Sequence, residues 1–190
     1  MFFVDDKLGA KKEFRRSASK ARNAIPKEKR DNKDSLIFQK ILDNSYFKEA
    51  EKVFVYVSYK SEVDTIRLIK SMLEKGEKRV CVPVVHGSEM IFIQIYDFDE
   101  LKESDMGILE PVCDTEKEVV IDGNSVMLLP GLAFTEGGLR MGYGGGFYDK
   151  YMHKYSDVKF MKIGLCYYEQ IYDIIPVDEN DVRLDALISD

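Results

Sequence analysis

The chain is poor in the residues that most metal and nucleophile chemistry draws on. Three cysteines and two histidines are spread over 190 residues. Cys81, Cys113 and Cys166 are odd in number, lie far apart and form no C-x-x-C pair, so a disulfide framework has no basis. With only His86 and His153 to assist them, a zinc centre or a Cys/His nucleophile finds little support, and the thiols read as reduced, partly buried small side chains. Long apolar runs are missing too. The longest nearly uncharged one, Val126 to Phe134, is interrupted by Pro130 and Gly131 and is far short of the roughly 20 residues a membrane helix needs. The opening Met1 to Asp6 has no cationic region and too few apolar residues for a signal peptide, which sets the expectation of a cytosolic protein with no membrane contact. A Walker A loop, G-x-x-x-x-G-K-[ST], does not occur.

The remaining composition, 45% hydrophobic and 33% charged, suits a globular protein, and the length suits one domain with an ample core. The net charge of −6 hides an asymmetry. Lys7 to Arg30 carries ten basic and two acidic residues, leaving a net of −14 for the rest. A basic arm on an acidic body fits a small anionic ligand better than a wrapped polyanion, so no nucleic-acid partner is expected.

Helical spacing of Phe14, Ala18 and Ala21 predicts a first helix over Lys7 to Ala24. Pro26 suits the first turn of a second, reaching about Asn44 with an apolar stripe of Leu36, Ile37, Ile41 and Leu42. Lys52 to Ser58 reads as a buried central strand, Asp64 as the cap of a helix over Thr65 to Lys75, Gly76 as its stop, and Arg79 to Pro83 as the next strand. That β-α-β unit implies a parallel sheet. Further strands are expected at Met90 to Ile95, Val126 to Leu129, Lys159 to Cys166 and Ala186 to Ser189, and a helix at Phe147 to Tyr155. The region from Tyr96 to Asp122 reads as a polar connection with one short helix, then an acidic irregular stretch. The fold class is therefore α/β: a single three-layer α/β/α domain over residues 1–190 with a mostly parallel central sheet, preceded by two helices. Loops at Ser58 to Asp64, Pro130 to Gly146 and Cys166 to Gln170 leave carboxyl ends of strands and should converge on a ligand.

The second of those loops is the most informative stretch. Six of the chain's 13 glycines fall between Gly137 and Gly146, after a strand and before a helix. That arrangement brings backbone close to a phosphate and aims helix N–H groups at it. Arg140 adds a cation before the glycines and Asp149 a carboxylate after them, one suited to facing a metal. A long flexible loop is the plain alternative, although a spacer would not need Arg140, two aromatics and Asp149.

The segment P-G-L-A-F-x-x-x-G-x-R-x-G-Y-G-G-G-F-Y-D (residues 130–149) resembles the 5-formyltetrahydrofolate cyclo-ligase (5,10-methenyltetrahydrofolate synthetase) family. Lys11-Lys12-Glu13-Phe14-Arg15 is similar to that family's K-x-x-L-R element, Glu62-Val63-Asp64-Thr65 to its E-[VI]-[DE]-T turn, and Pro176 to Asp185 to its closing acidic segment. The resemblance implies a monomeric enzyme that converts ATP and 5-formyltetrahydrofolate to 5,10-methenyltetrahydrofolate, ADP and phosphate with Mg²⁺. It implies that Lys11, Arg15, Arg140, Gly142, Tyr143, Gly144, Gly145, Gly146, Phe147 and Tyr148 meet the nucleotide. Arg140, Gly144, Gly145 and Tyr148 would lie at the reacting atoms. Val57, Glu62, Tyr143, Gly145 and Phe147 would meet the folate, and Asp149 and Asp181 the metal. Three positions depart from the pattern: Thr135 stands where Asp is common, Phe147 for the first of two tyrosines, and Lys150 where Arg is frequent. Two other readings remain open from the residues alone. One is a sugar-phosphate isomerase or acyl-CoA transferase on a similar scaffold, the other a nucleic-acid module using the basic arm.

Overall fold

A computed structural model describes the backbone of residues 3–190 and the side chains from residue 9 onward. Met1 and Phe2, part of the stretch considered for a targeting signal, lie outside the described residues. Three helices, α1 (Phe3–Asn23), α2 (Lys27–Asp43) and α3 (Ser45–Glu49), precede the first strand, β1 (Lys52–Val55). Helix α4 (Ile66–Lys75) then leads to β2 (Arg79–His86) and its hairpin partner β3 (Glu89–Ile95). Next come a small pair, β4 (Lys102–Glu103) and β5 (Leu109–Glu110), then β6 (Ser125–Leu129), and a second small pair, β7 (Ala133–Phe134) and β8 (Arg140–Met141). Helix α5 (Phe147–Lys154) and strands β9 (Met161–Cys166) and β10 (Ala186–Ser189) complete the order. The fold is α/β, with a six-stranded sheet in the order β10-β9-β6-β1-β2-β3, parallel except for β3.

Continuous apolar runs put these strands in the middle because both faces must be covered. Successive side chains alternate across the sheet. Val53 and Val55 of β1, with Val126 and Leu128 of β6, face the cluster built with α2, α3 and α4. Phe54, Met127 and Leu129 point the other way, against Tyr151 and Met152 of α5. Phe54, Phe92 and Tyr151 pack as an aromatic group with centroids 5.0 Å apart for Phe54–Phe92 and for Phe92–Tyr151. Each such side chain, fully buried, contributes about 1.5–3 kcal/mol relative to exposure.

Local chemistry moves several boundaries from where the sequence puts them. Pro26 stands at the N-cap of α2, not inside its first turn. Asn44 ends α2, and its side chain accepts from the Phe47 N–H to begin α3, a five-residue helix too short to show periodicity. The strand read to Ser58 stops at Val55. Beyond it the Thr65 hydroxyl donates to Tyr56 O at 2.6 Å and accepts from the Ser58 N–H at 3.0 Å, taking both away from the sheet. Thr65, not Asp64, stands at the N-cap of α4, while Asp64 just before it accepts from the Ile66 N–H at 2.9 Å, and Gly76 closes the helix in the left-handed region at φ 65°.

Two of the three thiols are sealed in this core. Burial pushes Cys81 and Cys166 up to about 12, while Cys113 is exposed with its sulfur 3.4 Å from His86 Nδ1. Because the thiolate is the reactive form, iodoacetamide at pH 8 should modify one thiol per native chain and three after denaturation. Mass spectrometry would count them, and fast labelling of Cys81 or Cys166 in the native protein would contradict this packing.

The chain leaves β1 toward β2 through α4, but leaves β6 toward β9 through α5. The connections therefore diverge at the carboxyl ends of adjacent β1 and β6, which is where open α/β sheets hold ligands.

Candidate active site

The stretch after β6 first folds back on itself as the β7–β8 hairpin. Leu132 N–H bonds Met141 O at 2.8 Å, and Thr135 N–H bonds Leu139 O at 2.9 Å. Thr135, buried in the turn, also accepts the Leu139 N–H on its hydroxyl at 3.1 Å, so this departure from the family pattern acts as a turn residue. Gly138 at φ 82° is required there, since a Cβ would sit 2.4 Å from Leu184 O. The hairpin delivers Arg140 to the base of the glycine loop, and Gly146 at φ 67° opens α5 without any side-chain cap. The first N–H groups of α5 thus face the loop with no side chain among the described residues to satisfy them, a geometry that favours an anion.

Arg140 is 4% exposed. It donates to Pro130 O at 3.1 Å and to Asp149 Oδ2 at 2.7 Å, and its Nε, itself buried, has no partner. Asp149 Oδ1 accepts from the Val182 N–H at 3.2 Å, which ties α5 to the loop carrying Asp181. The Arg140 guanidinium carbon lies 5.7 Å from the centroid of Tyr148, a half-buried ring whose phenol pKa is pushed up by burial. Arg15 reaches the same loop from α1. Gly144, at φ 109°, has its Cβ position 3.5 Å from Arg15 Cζ, and Arg15 Nε is a second buried donor without a partner. Lys11, one turn earlier on α1, donates to Asp178 Oδ2 and Asp181 Oδ2, each at 2.6 Å. Burial pulls the Lys11 pKa down, but those two carboxylates outweigh it and the net direction is up.

The opposite wall comes from the turn after β1. Glu62 Oε2 accepts from the Tyr59 N–H at 2.8 Å, and Oε1 from the Tyr143 hydroxyl. Burial raises the Glu62 carboxyl above its ordinary value, against hydrogen bonds from Tyr143 and Tyr59 and the charge of Arg22. The third loop joins both others. Gln170 Nε2 donates to Gly131 O at 2.8 Å, and the Tyr167 hydroxyl donates to Glu62 O at 3.2 Å and to Asp34 Oδ1 at 2.8 Å. All three expected loops do converge.

Of the residues singled out from sequence, Arg15, Arg140, Gly142, Gly144, Gly145, Gly146, Phe147, Tyr148 and Asp149 gather around one glycine loop, with Tyr143 bridging to Glu62. Gly145 lies under the Phe147 ring, where a Cβ would be 2.8 Å from the nearest ring atom. Val57 is buried in the apolar cluster of the sheet, beside Tyr56. Lys11 and Asp181 meet each other directly and adjoin Asp149 through Val182. Sequence reasoning assigned nothing to Arg22, Asp178 or Gln170. The partners that tie them into the cleft lie between 38 and 167 residues away, so no local spacing marks that role.

The 5-formyltetrahydrofolate cyclo-ligase family model matches residues 7–190. A Caenorhabditis elegans protein named probable 5-formyltetrahydrofolate cyclo-ligase is 32% identical, over 94% of this chain and 91% of its own. The 5-formyltetrahydrofolate cyclo-ligase of Escherichia coli K12 is also 32% identical, over 74% of this chain and 78% of its own. Among solved structures, Aquifex aeolicus 5,10-methenyltetrahydrofolate synthetase superposes with a TM-score of 0.79 at 29% identity, covering 94% of this chain and 88% of that one. With the glycine loop, its two arginines and the facing glutamate in one cleft, the chain belongs to the 5-formyltetrahydrofolate cyclo-ligase family.

Proposed function

We propose that this protein catalyses the ATP-dependent conversion of 5-formyltetrahydrofolate to 5,10-methenyltetrahydrofolate, with release of ADP and phosphate. Family membership supports the cyclo-ligase activity. The observation that carries the ATP reading is the pair of buried, partnerless guanidinium nitrogens, Arg15 Nε and Arg140 Nε, at a loop whose helix has no side-chain cap. Buried donors without partners are costly, and a polyphosphate would supply acceptors for both.

A formamide oxygen leaves poorly and N10 of the folate is a weak nucleophile. Transfer of the γ-phosphoryl group to that oxygen breaks the bond to ADP and makes an imidate-like phosphate. N10 then forms the new C–N bond and releases its proton to water or to the departing phosphate, which leaves with the C–O bond electrons. No protein nucleophile is needed, in keeping with a chain so short of Cys and His. The protein's share is alignment and charge stabilisation. Arg15 and Arg140 would hold the phosphates, while the N–H groups of the glycine loop cradle the transferring group. Lys11, bound to Asp178 and Asp181, would complete the cationic wall. Glu62 would accept two hydrogen bonds from the pterin amino and ring N–H groups.

The donor set fits Mg²⁺ only in company with phosphate. Among the described residues no group of three or more Asp, Glu, His or Cys is placed to hold a metal, and Mg²⁺ is commonly held by one or two carboxylates plus substrate phosphates. Asp149 and Asp181 would be those carboxylates, and the ion would neutralise phosphate charge. No helix among the described residues is long and apolar enough to cross a membrane, and we propose a cytosolic location.

The test is absorbance growth from methenyltetrahydrofolate on mixing the protein, Mg·ATP and 5-formyltetrahydrofolate. Absence of turnover by folded protein would refute the reading. Glu62→Gln, which turns one acceptor oxygen into a donor, should raise the KM for folate about tenfold or more and leave that for ATP nearly unchanged. Equal losses for both substrates would remove Glu62 from the folate wall.

A further inference from the structure

Arg22 lies at the end of α1, 5% exposed, and bonds three different parts of the cleft. Nε donates to Ser61 Oγ at 3.0 Å, in the turn after β1. Nη1 donates to Gly131 O at 3.2 Å, after β6, and to the Tyr143 hydroxyl at 2.6 Å, in the glycine loop. The guanidinium carbon also sits 5.5 Å from the Tyr143 ring centroid. The Tyr143 hydroxyl in turn donates to Glu62 Oε1, so cation, phenol and carboxylate form one relay of hydrogen bonds. A buried cation is costly unless compensated, and Glu62 is the carboxylate at the end of this relay. Tyr143 is otherwise 53% exposed, so a contact with a buried partner is what fixes it.

We propose that Arg22 is the positioning residue of the folate wall, holding the Ser61–Glu62 turn and Tyr143 in register so that the Glu62 carboxylate faces the pterin. This rests on the reading of Glu62 as the pterin anchor. Arg22 touches neither the phosphate loop's partnerless donors nor the Lys11 pairs, so its influence falls on one substrate. The planar fork of donors is essential to a three-way clamp, and lysine's single ammonium does not reproduce it.

Removing Arg22 leaves its neighbours partnered. Gly131 O still accepts from Gln170, and the Ser61 hydroxyl still donates to Asn23. Arg22→Met should therefore fold. Its KM for 5-formyltetrahydrofolate is expected to rise about tenfold, with kcat and the KM for ATP within about twofold of wild type. The titratable and charged groups around Glu62 are Arg22 from α1, Tyr56 after β1, Tyr143 from the glycine loop and Tyr148 from α5, with the Tyr167 hydroxyl on its backbone oxygen. Of these, Arg22 is the cation that favours ionised Glu62. The acid limb of kcat/KM for folate should accordingly move to higher pH in Arg22→Met, a shift that a merely structural role would not produce. Tyr143→Phe should raise the folate KM on its own through its direct bond to Glu62, and by a smaller factor in the Arg22→Met background, since the two side chains share one chain of hydrogen bonds. Equal rises in both KM values, or an unchanged folate KM in Arg22→Met beside an active wild type, would overturn the proposal. A wild type that does not turn over 5-formyltetrahydrofolate at all would instead bring down the reading beneath it.

Discussion

Arg140→Ala is expected to lower kcat/KM for ATP by about 10²–10³-fold while leaving a folded protein. The loss follows from what the guanidinium does. Its other nitrogens are held by Pro130 O and Asp149, so it is fixed before any ligand arrives, and its buried Nε has no partner among the described residues. A preorganised donor aimed at developing phosphate charge is typically worth that much in rate. The stability loss should be smaller. Arg140 leaves behind an Asp149 side chain that is 18% exposed and can recruit water. About 1–3 kcal/mol is then at stake, against a total of about 5–15 kcal/mol for a typical domain. At roughly 2–4 °C per kcal/mol for a chain of this size, thermal unfolding should move down by single-digit to low double-digit degrees. Arg140→Lys should restore charge but not rate, because a single ammonium cannot reach Pro130 O and Asp149 together as the planar fork does, nor fill the space where a Cβ on Gly142 would stand 3.0 Å from Nη1. Near-normal kcat/KM in Arg140→Ala would take the phosphate role away from this residue.

What the sequence shows and what it hides follow different physics. The central strands are legible because double burial demands unbroken apolar runs, and β6, all five of its residues buried, is the extreme case. The glycine loop is legible because left-handed backbone and close approach leave a compositional trace; Gly144 at φ 109° beside Arg15 is such a demand. The end of β1 is hidden, because one hydroxyl further along the chain, that of Thr65, captures Tyr56 O and the Ser58 N–H, nine and seven residues before it. The small pairs β4–β5 and β7–β8 have two residues per strand, below any detectable period. Arg22 is hidden for a further reason. In the sequence it is one of ten cations in the basic arm, and only the tertiary fold separates it, buried on Ser61, Gly131 and Tyr143, from exposed neighbours such as Lys20. The same holds for Lys11, which the motif marks but whose partners Asp178 and Asp181 lie at the far end of the chain.

Asp149 reverses the balance seen at Arg140. Asp149→Ala should cost more stability than Arg140→Ala, although the same ion pair is broken. The partner left behind is now a guanidinium whose side chain is 3% exposed, and the Val182 N–H loses its acceptor as well. Stranding a buried charge typically costs about 3–5 kcal/mol, or at least about 6 °C of thermal stability at this size. Removing both charges should recover most of that. Arg140→Met with Asp149→Leu is expected to unfold at a higher temperature than Asp149→Ala alone, yet to be as inactive as either single variant. Differential scanning calorimetry and the methenyltetrahydrofolate assay, run on the same three proteins, separate the two contributions. Asp149→Asn isolates the charge, because its carbonyl oxygen can still accept from Arg140. If Asp149 holds Mg²⁺ beside the phosphates, this variant should need about tenfold or more Mg²⁺ for half-maximal rate. If its one task is to orient Arg140, the Mg²⁺ requirement should stay where it is and the KM for ATP should rise instead. A rise in the Mg²⁺ requirement is the outcome that a carboxylate held between Arg140 and the Asp181 loop leads us to expect.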